Sequence, residues 1–368
     1  MSRLVAVAPV LPDHVYAQAE ITAEIGPLLA PGPARRALLD RFHGSSGVRT
    51  RHFALPLEKY AALTSFDQGN DLFISIGAEL AERALRTALD AAGLAPSDVD
   101  FVLFTSVTGV SAPSIDSLLV DRVGLRRDVK RLPSFGLGCV AGAAGLARVH
   151  DYLVGHPHDV AVLLSVELCS LTIQHGDDST ANLVSSGLFG DGAAAVVMVG
   201  AERARAADAA AGGVPVGVDV VGSRSAVYAD SAATLGWDIG GSGFRIVLGA
   251  GLADVVEQHL AGDVAALLDA HGLAHGDITS WVGHAGGPRI LEAAQRALGL
   301  AEGALDRSWS SLARVGNLSS ASVLHVLADT LADGAPSPGE PAVLFAFGPG
   351  VSAELVLLRG AGTENPSC

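Results

Sequence analysis

The 368-residue chain contains a distant copy of itself, and a chain built twice on one plan has few folds open to it. LAPSDVDFV, beginning at Leu94, resembles LAHGDITSWV, beginning at Leu273; each reads as a helix end, an acidic turn and a buried strand. Cys139 stands forty-five residues after Leu94 and is followed by VAGAAGLARVHDYL, while Asn317 stands forty-four after Leu273 and is followed by LSSASVLHVLADTL. Later in each half comes a Phe-Gly loop with a strand behind it, LFGDGAAAVVMV in the first and AFGPGVSAELVL in the second. The shared order and spacing imply two halves of like topology, 1–212 and 213–368. The starts of two small-residue helices should then present Cys139 and Asn317 at one junction. The first half is longer between its last two markers, and the extra length, around Cys169 to Gly187, is a natural source of pocket-lining segments.

Each half alternates short apolar runs with helical stretches, the pattern of an α/β protein whose sheets are covered on both faces. Strands are expected in the N-terminal MSRLVAVAPVLPDHV and at VDFVLFTSV, VAVLLSVEL, AAAVVMVG, ITSWVGH and AVLFAFG. Helices are expected over Leu72 to Ala92, after Cys139, over Ala253 to Ala270, Pro288 to Leu298 and Ser319 to Leu331. AERARAADAAAGG and DGAPSPGEP read as surface linkers.

With 49% hydrophobic and 17% charged residues, the chain has enough apolar surface for a compact core and lacks a disordered composition. A formal charge of −15 argues against nucleic-acid binding, which needs clustered Lys and Arg. No apolar run reaches the roughly 18 residues of a membrane span, and Pro9, Pro12 and Asp13 cut short any signal-peptide core. Three cysteines without an export signal point to the cytoplasm rather than to a disulfide scaffold.

Three side chains stand in settings that favour chemistry. Cys139 lies in a Gly-rich frame at a helix start, where backbone N–H groups and the helix dipole favour a thiolate. His284 ends a strand and runs into Gly286, Gly287 and a helix-starting Pro288. Asn317 would serve as a helix cap in any chain, but here it also occupies the position matching Cys139. An imidazolium beside the sulfur would hold it ionised, and His and Asn donors would cradle a developing oxyanion.

GLGCVAGAAGLARVHDYL, LVSSGLFGDGAAAVV, WVGHAGGPRIL, VGNLSSASVLHVL and AFGPGVSAELVLL, in that order from about Val48 to Leu358, resemble the successive motifs of type III polyketide synthases, the chalcone-synthase-like branch of the thiolase superfamily. The resemblance implies a thiolase-like αβαβα layered fold and a homodimer. It implies iterative decarboxylative condensation of malonyl-CoA on an acyl-CoA starter, with no metal and no cofactor beyond the CoA thioesters. By motif position Cys139 is the nucleophile, His284 and Asn317 are its partners, and Phe189 and Phe244 are gatekeepers. TSVTGVSAPS matches the segment lining the elongation cavity and the dimer contact, placing Val107, Thr108 and Ala112 there, with Cys169 and Thr172 facing them. Thr108, Ala112 and Cys169 look like the set in actinobacterial long-chain alkylpyrone and alkylresorcinol synthases, which implies a medium-to-long fatty acyl-CoA starter. Arg41, Arg49 and Arg51 are expected at the CoA phosphates, and Gly286, Gly287 and Arg289 at the tunnel mouth. Cys169, at an apolar strand end, reads as cavity wall, and Cys368, at a polar terminus, as inert.

Three alternatives remain at this level: a single-condensation ketoacyl-synthase III, a tetrahydroxynaphthalene-type synthase, and a non-catalytic scaffold of the same fold. GHAGGPRIL and FGPG weigh against the first, and the presence of Cys139 against the last. If Ala112 sets starter length, Ala112→Met should move the preference of the enzyme toward shorter acyl-CoAs. An unchanged chain-length profile across an acyl-CoA series would remove Ala112 from that role.

Overall fold

In the computed structural model of the protein, which describes residues 1–213 and 215–362, the repeat is visible as a repeat of strand order. Nine strands form one mixed ladder: β1 (Ser2–Val10), β2 (Val99–Thr105), β3 (Lys130–Ser134), β4 (Val160–Leu168), β5 (Asp191–Gly200), β6 (Val218–Val227), β7 (Ser280–Gly283), β8 (Pro341–Gly348) and β9 (Ser352–Gly360). Their spatial order is β7-β8-β9-β6-β1-β5-β4-β2-β3. In the first half β2 runs parallel to β4, β4 antiparallel to β5, and β5 antiparallel to β1. In the second, β7 runs parallel to β8, β8 antiparallel to β9, and β9 antiparallel to β6. Only the edge strand β3 lacks a counterpart. The two half-sheets join where β1 meets β6, through the pairs Ser2 with Val220, Arg3 with Asp219 and Leu4 with Val218.

Helices complete the layers. α1 (Phe66–Ala92) covers the outer face of the first half-sheet, and α3 (Leu252–Asp269) with α4 (Pro288–Leu298) covers that of the second. Between the sheets lie α2 (Ala141–Gly155) and α6 (Ser322–Ala332), whose residues share one hydrophobic cluster with strands of both halves. α5 (Asp306–Val315) flanks them. Every residue of β4 and β5 is buried, as expected of strands covered on both faces. The layers are therefore α1, sheet, α2 with α6, sheet, α3 with α4. This is the thiolase-like fold.

The expected helices appear with small shifts: the first begins at Phe66, and short 3₁₀ turns over Gly138–Val140 and Ser319–Ala321 lead into α2 and α6. AERARAADAAAGG departs from its reading as a linker, because Ala201–Ala210 is a helix. Alanine has the highest intrinsic helix propensity, and this segment needs no amphipathic stripe because only Ala204 is buried. DGAPSPGEP is a loop. Val214 and Cys368 lie outside the described residues, and no helix among those described is long and apolar enough to cross a membrane.

The middle layer is closely packed at its start. A Cβ on Gly142 would lie 2.3 Å from the Ser320 carbonyl oxygen and 2.8 Å from Val323. Only glycine lets α2 approach α6 this far, and that approach brings the residues ahead of each helix together. Gly142→Val should therefore lower stability by about 1–3 kcal/mol through overpacking, read as a lower urea midpoint at unchanged slope. An unshifted midpoint would mean that the two helices can separate at no cost.

Candidate active site

Cys139 sits in the 3₁₀ turn ahead of α2, after Gly138, whose φ is +57° and whose Cβ would strike the Pro349 ring at 2.5 Å. The Phe-Gly loop of the second half thus braces the cysteine of the first. The Cys139 Sγ donates to Ser319 Oγ at 3.6 Å, on the turn ahead of α6. Asn317 is held from the opposite direction. Its backbone bridges Phe189 in parallel register: Asn317 N–H donates to Leu188 O at 2.8 Å and Gly190 N–H to Asn317 O at 3.0 Å. Its carboxamide nitrogen donates to Gly286 O at 3.2 Å, and its oxygen accepts from Ser319 N–H at 2.8 Å. Ser319 has a left-handed φ of +50°, a costly conformation for a serine that this bond helps to hold. His284 follows the end of β7, where its N–H donates to Phe345 O of β8 at 2.9 Å. The imidazole Nδ1 is buried and has no partner among the described residues.

Two cavities meet at Cys139. The outer is lined by His284, Asn317, Gly286, Gly287 and Arg289; the inner by Val107, Thr108, Cys169, Thr172 and Arg51. Cys139, Phe189 and Leu235 line both, so the sulfur and one aromatic ring stand at the passage between them. The segment from Cys169 to Gly187 contributes Ile173, Asn182, Ser185 and Ser186 to the inner wall.

Burial holds the thiol and the imidazole neutral when each is considered alone. It pushes Cys139 up to about 12, against the hydrogen bonds of Ser319 and Asn317, and lowers His284 to about 4. This differs from the expected standing thiolate–imidazolium pair. A proton passed from sulfur to imidazole creates both charges at once, and their mutual attraction offsets the desolvation each would otherwise suffer. Ionisation of the sulfur therefore depends on a neighbour that can take its proton.

Several expected site residues lie elsewhere. Arg51, expected at CoA phosphates, is 1% exposed and faces the inner cavity, because the strand Thr50–Phe53 alternates its side chains and buries Arg51 and Phe53. Arg41 and Arg49 are exposed; the Arg41 guanidinium lies over the Phe42 ring, 5.7 Å from its centroid, and Phe42, not Arg41, lines the outer cavity together with Arg289. Phe244 borders neither of the two cavities at Cys139. It packs edge-on to Phe66 at 5.4 Å and beside Trp237 at 5.8 Å, and lines a neighbouring polar cavity. Trp237 takes the place at the inner wall. Ala112 is exposed on a loop and borders neither of the two cavities at Cys139.

Sequence reading missed Glu167. Fully buried in β4, its Oε2 accepts from Val107 N–H at 3.1 Å and Thr108 Oγ1 at 2.9 Å, and its Oε1 accepts from the Ser320 hydroxyl. It thereby ties the inner wall to the turn carrying Ser319. Burial raises its pKa against these bonds. A lone carboxylate inside the apolar run VAVLLSVEL was the available signal.

The family model for chalcone and stilbene synthases matches the chain through its N-terminal domain over residues 2–203 and its C-terminal domain over residues 220–362. The chain is 56% identical to a 1,3,6,8-tetrahydroxynaphthalene synthase of Streptomyces peucetius subsp. caesius, over 96% of this chain and 92% of that protein. It is 29% identical to the α-pyrone synthesis polyketide synthase-like Pks18 of Mycobacterium tuberculosis, over 94% of this chain and 88% of that protein. The crystal structure of 1,3,6,8-tetrahydroxynaphthalene synthase from Streptomyces coelicolor superposes with a TM-score of 0.89 at 29% identity, covering 98% of this chain and 99% of that one.

The proton relation between His284 and Cys139 is open to direct measurement. Without the imidazole, burial alone sets the thiol, and a raised pKa means that the reactive anion appears only as pH rises. His284→Ala should slow iodoacetamide alkylation of Cys139 at pH 7 by at least about tenfold, with a rate that climbs steadily to alkaline pH. Superimposable pH profiles for the variant and the parent protein would break the link.

Proposed function

The chain belongs to the chalcone and stilbene synthase family, the type III polyketide synthases, and from that membership we propose that Cys139, His284 and Asn317 carry its acyl transfer and decarboxylative condensation. The observation that supports these roles is the position of Cys139 at the meeting of two cavities, one bearing His284 and Asn317 and the other lined by Val107, Thr108, Cys169 and Thr172. The Cys139 thiolate attacks the starter thioester and CoA leaves. Malonyl-CoA then enters the outer cavity, where Arg289 in its wall and Arg41 over the lining Phe42 suit the CoA phosphates. The His284 imidazole and the Asn317 carboxamide donate to its thioester oxygen as carbon dioxide departs. The enolate carbon so formed attacks the acyl group on Cys139, giving a β-ketoacyl-CoA and freeing the sulfur to be reloaded. The bonds formed and broken balance without an oxidant or reductant, and no other cofactor is assigned.

For the starter we favour malonyl-CoA or another short acyl-CoA. The hydroxyls of Thr108, Ser170, Thr172, Ser185 and Ser186 on the inner wall already donate to protein acceptors, so the preference rests on kinship rather than on the wall itself. The relative at 56% identity is named for a naphthalene oxygenated at alternate carbons, the pattern left by a chain of two-carbon units. The fatty acyl-CoA starter, with pyrone or resorcinol closure, is the second reading. It is favoured by Thr108, Ser170, Thr172 and Ile173, which also line the adjoining cavity and so offer an extension of the chamber.

A homodimer belongs to the same proposal. β3 ends the sheet with no further strand beside it, and Val110, Leu132, Phe135 and Leu137 are exposed there. A second copy on this edge would cover them and bring Ala112 to a neighbour, the only route by which Ala112 could affect a chamber. Free thiols at Cys139 and Cys169 suit the reducing cytoplasm.

Products made from malonyl-CoA alone, and from malonyl-CoA with acyl-CoAs of rising length, should be compared by mass spectrometry. Malonyl-CoA alone is expected to yield a polyketide, and Cys139→Ala to abolish every product. Products confined to long acyl-CoAs would instead establish the second starter reading, and products from Cys139→Ala would end the assignment of the nucleophile.

A further inference from the structure

The inner chamber contains a buried cation whose hydrogen bonds are incomplete. Arg51 is 1% exposed, and its guanidinium is locked in place: Nε donates to Gln18 Oε1 at 3.0 Å and Nη1 to Phe189 O at 2.6 Å. Gln18 is itself fixed, its Nε2 donating to Gly187 O at 3.0 Å and its backbone N–H to Arg49 O at 2.8 Å. The third nitrogen, Nη2, is buried and has no partner among the described residues. A guanidinium carries five N–H donors, and both of those on Nη2 remain unused.

The surrounding groups meet this demand only in part: the guanidinium lies over the Phe53 ring, 5.4 Å from its centroid, and Asp191 acts on it through space without a hydrogen bond. Asp191, Tyr60 and Cys169 are the titratable groups whose charge bears on Arg51. Burial keeps Tyr60 and Cys169 neutral by pushing both well up. Asp191 is engaged by Ala54 N–H at 2.6 Å, by Ser170 N–H at 2.7 Å and by the Ser170 hydroxyl, and it forms no ion pair with Arg51. Arg51 itself, lowered by burial to about 10, remains charged at neutral pH. A buried charge short of hydrogen-bond acceptors is costly. A chain that keeps one beside its reaction chamber has a site for an anion there.

We infer that Arg51 Nη2 forms an oxyanion subsite of the inner chamber, taking a negatively charged oxygen on the chain that Cys139 carries. Two sources share that chemistry: the carboxylate of a dicarboxylic starter and the enolate oxygen of a β-ketoacyl chain. The inference rests on the assignment of Cys139 as the acyl carrier. Because Nη1 of the same guanidinium holds the carbonyl of Phe189, whose ring stands at the passage, the subsite and the passage are positioned by one side chain. A chain oxygen bound at Nη2 would be drawn away from His284 and Asn317, and the bound β-dicarbonyl would be held as its enolate, its acidic α-proton released to water, which sets which carbon or oxygen is free to close a ring.

The test uses the full-length protein with Arg51→Lys and Arg51→Met, folding being checked by circular dichroism and urea midpoint. Products are counted per acylated chain in two arms, malonyl-CoA alone and hexanoyl-CoA with malonyl-CoA. An enolate ligand predicts that Arg51→Met loses products of two or more extensions at least about tenfold in both arms, with early-released short chains in their place and partial recovery in Arg51→Lys. A carboxylate ligand predicts the loss in the malonyl-only arm alone, as a raised KM for priming. Product distributions equal to those of the parent protein in both arms, from folded variants, would overturn the subsite. A second measurement needs no variant: acetylacetone added to the parent protein at pH 7 should show enolate absorbance at one equivalent per chain. If the variants fail to fold, absence of that signal overturns the inference. Hexanoyl loading seen as a mass increase on Cys139 is read separately, and its failure would remove the carrier assignment rather than the subsite.

Discussion

The backbone bridge between Phe189 and Asn317 is the contact on which the rest of the site depends. It joins the Phe-Gly loop of one half to the helix entry of the other, so that an element from each copy fixes the other's position. The approach of α2 to α6, with Gly142 against the Ser320 carbonyl, does the same one turn deeper. Cys139, Ser319, Asn317 and His284 all leave elements that end at this junction. Their placement therefore follows from packing two small-residue helix starts together, and no loop has to be folded independently around a reactive group.

Burial at this junction has opposite consequences for different groups. It drives the thiol of Cys139 and the imidazole of His284 toward neutrality. Glu167 and Asp191 are equally enclosed, and each is surrounded by N–H and hydroxyl donors from the cavity walls, making them structural ties. Arg51 is the exception among these buried groups, charged and short of acceptors. The junction thus has hydrogen bonds where the fold must be rigid, and unsatisfied donors where a substrate is to be held.

Much of this was legible in the chain. The spacing of Cys139 and Asn317 from their matching strands announced the duplication, and it survives as the repeated strand order of β2-β4-β5-β1 and β7-β8-β9-β6. His284 could be singled out by its strand-end, Gly-rich setting. The inner-wall residues Val107, Thr108, Cys169 and Thr172 do meet around one cavity. What misled was any inference from residue type without direction: RFHGSSGVRTRHF reads as a basic patch, yet strand alternation turns Arg51 inward while leaving Arg49 in solvent.

By itself the sequence determined the layered α/β architecture, the two-copy plan and the three polar residues that end at its seam, because apolar periodicity, small-residue spacing and motif order are local properties of the chain. Only the tertiary structure decided which side chains face the sulfur. It moved Phe244 into an aromatic cluster, put Trp237 at the wall, left Ala112 outside both cavities, and enclosed Arg51. The reason is that facing, burial and proton affinity are set by contacts between segments far apart in sequence, and a one-residue change of register in a strand reverses them.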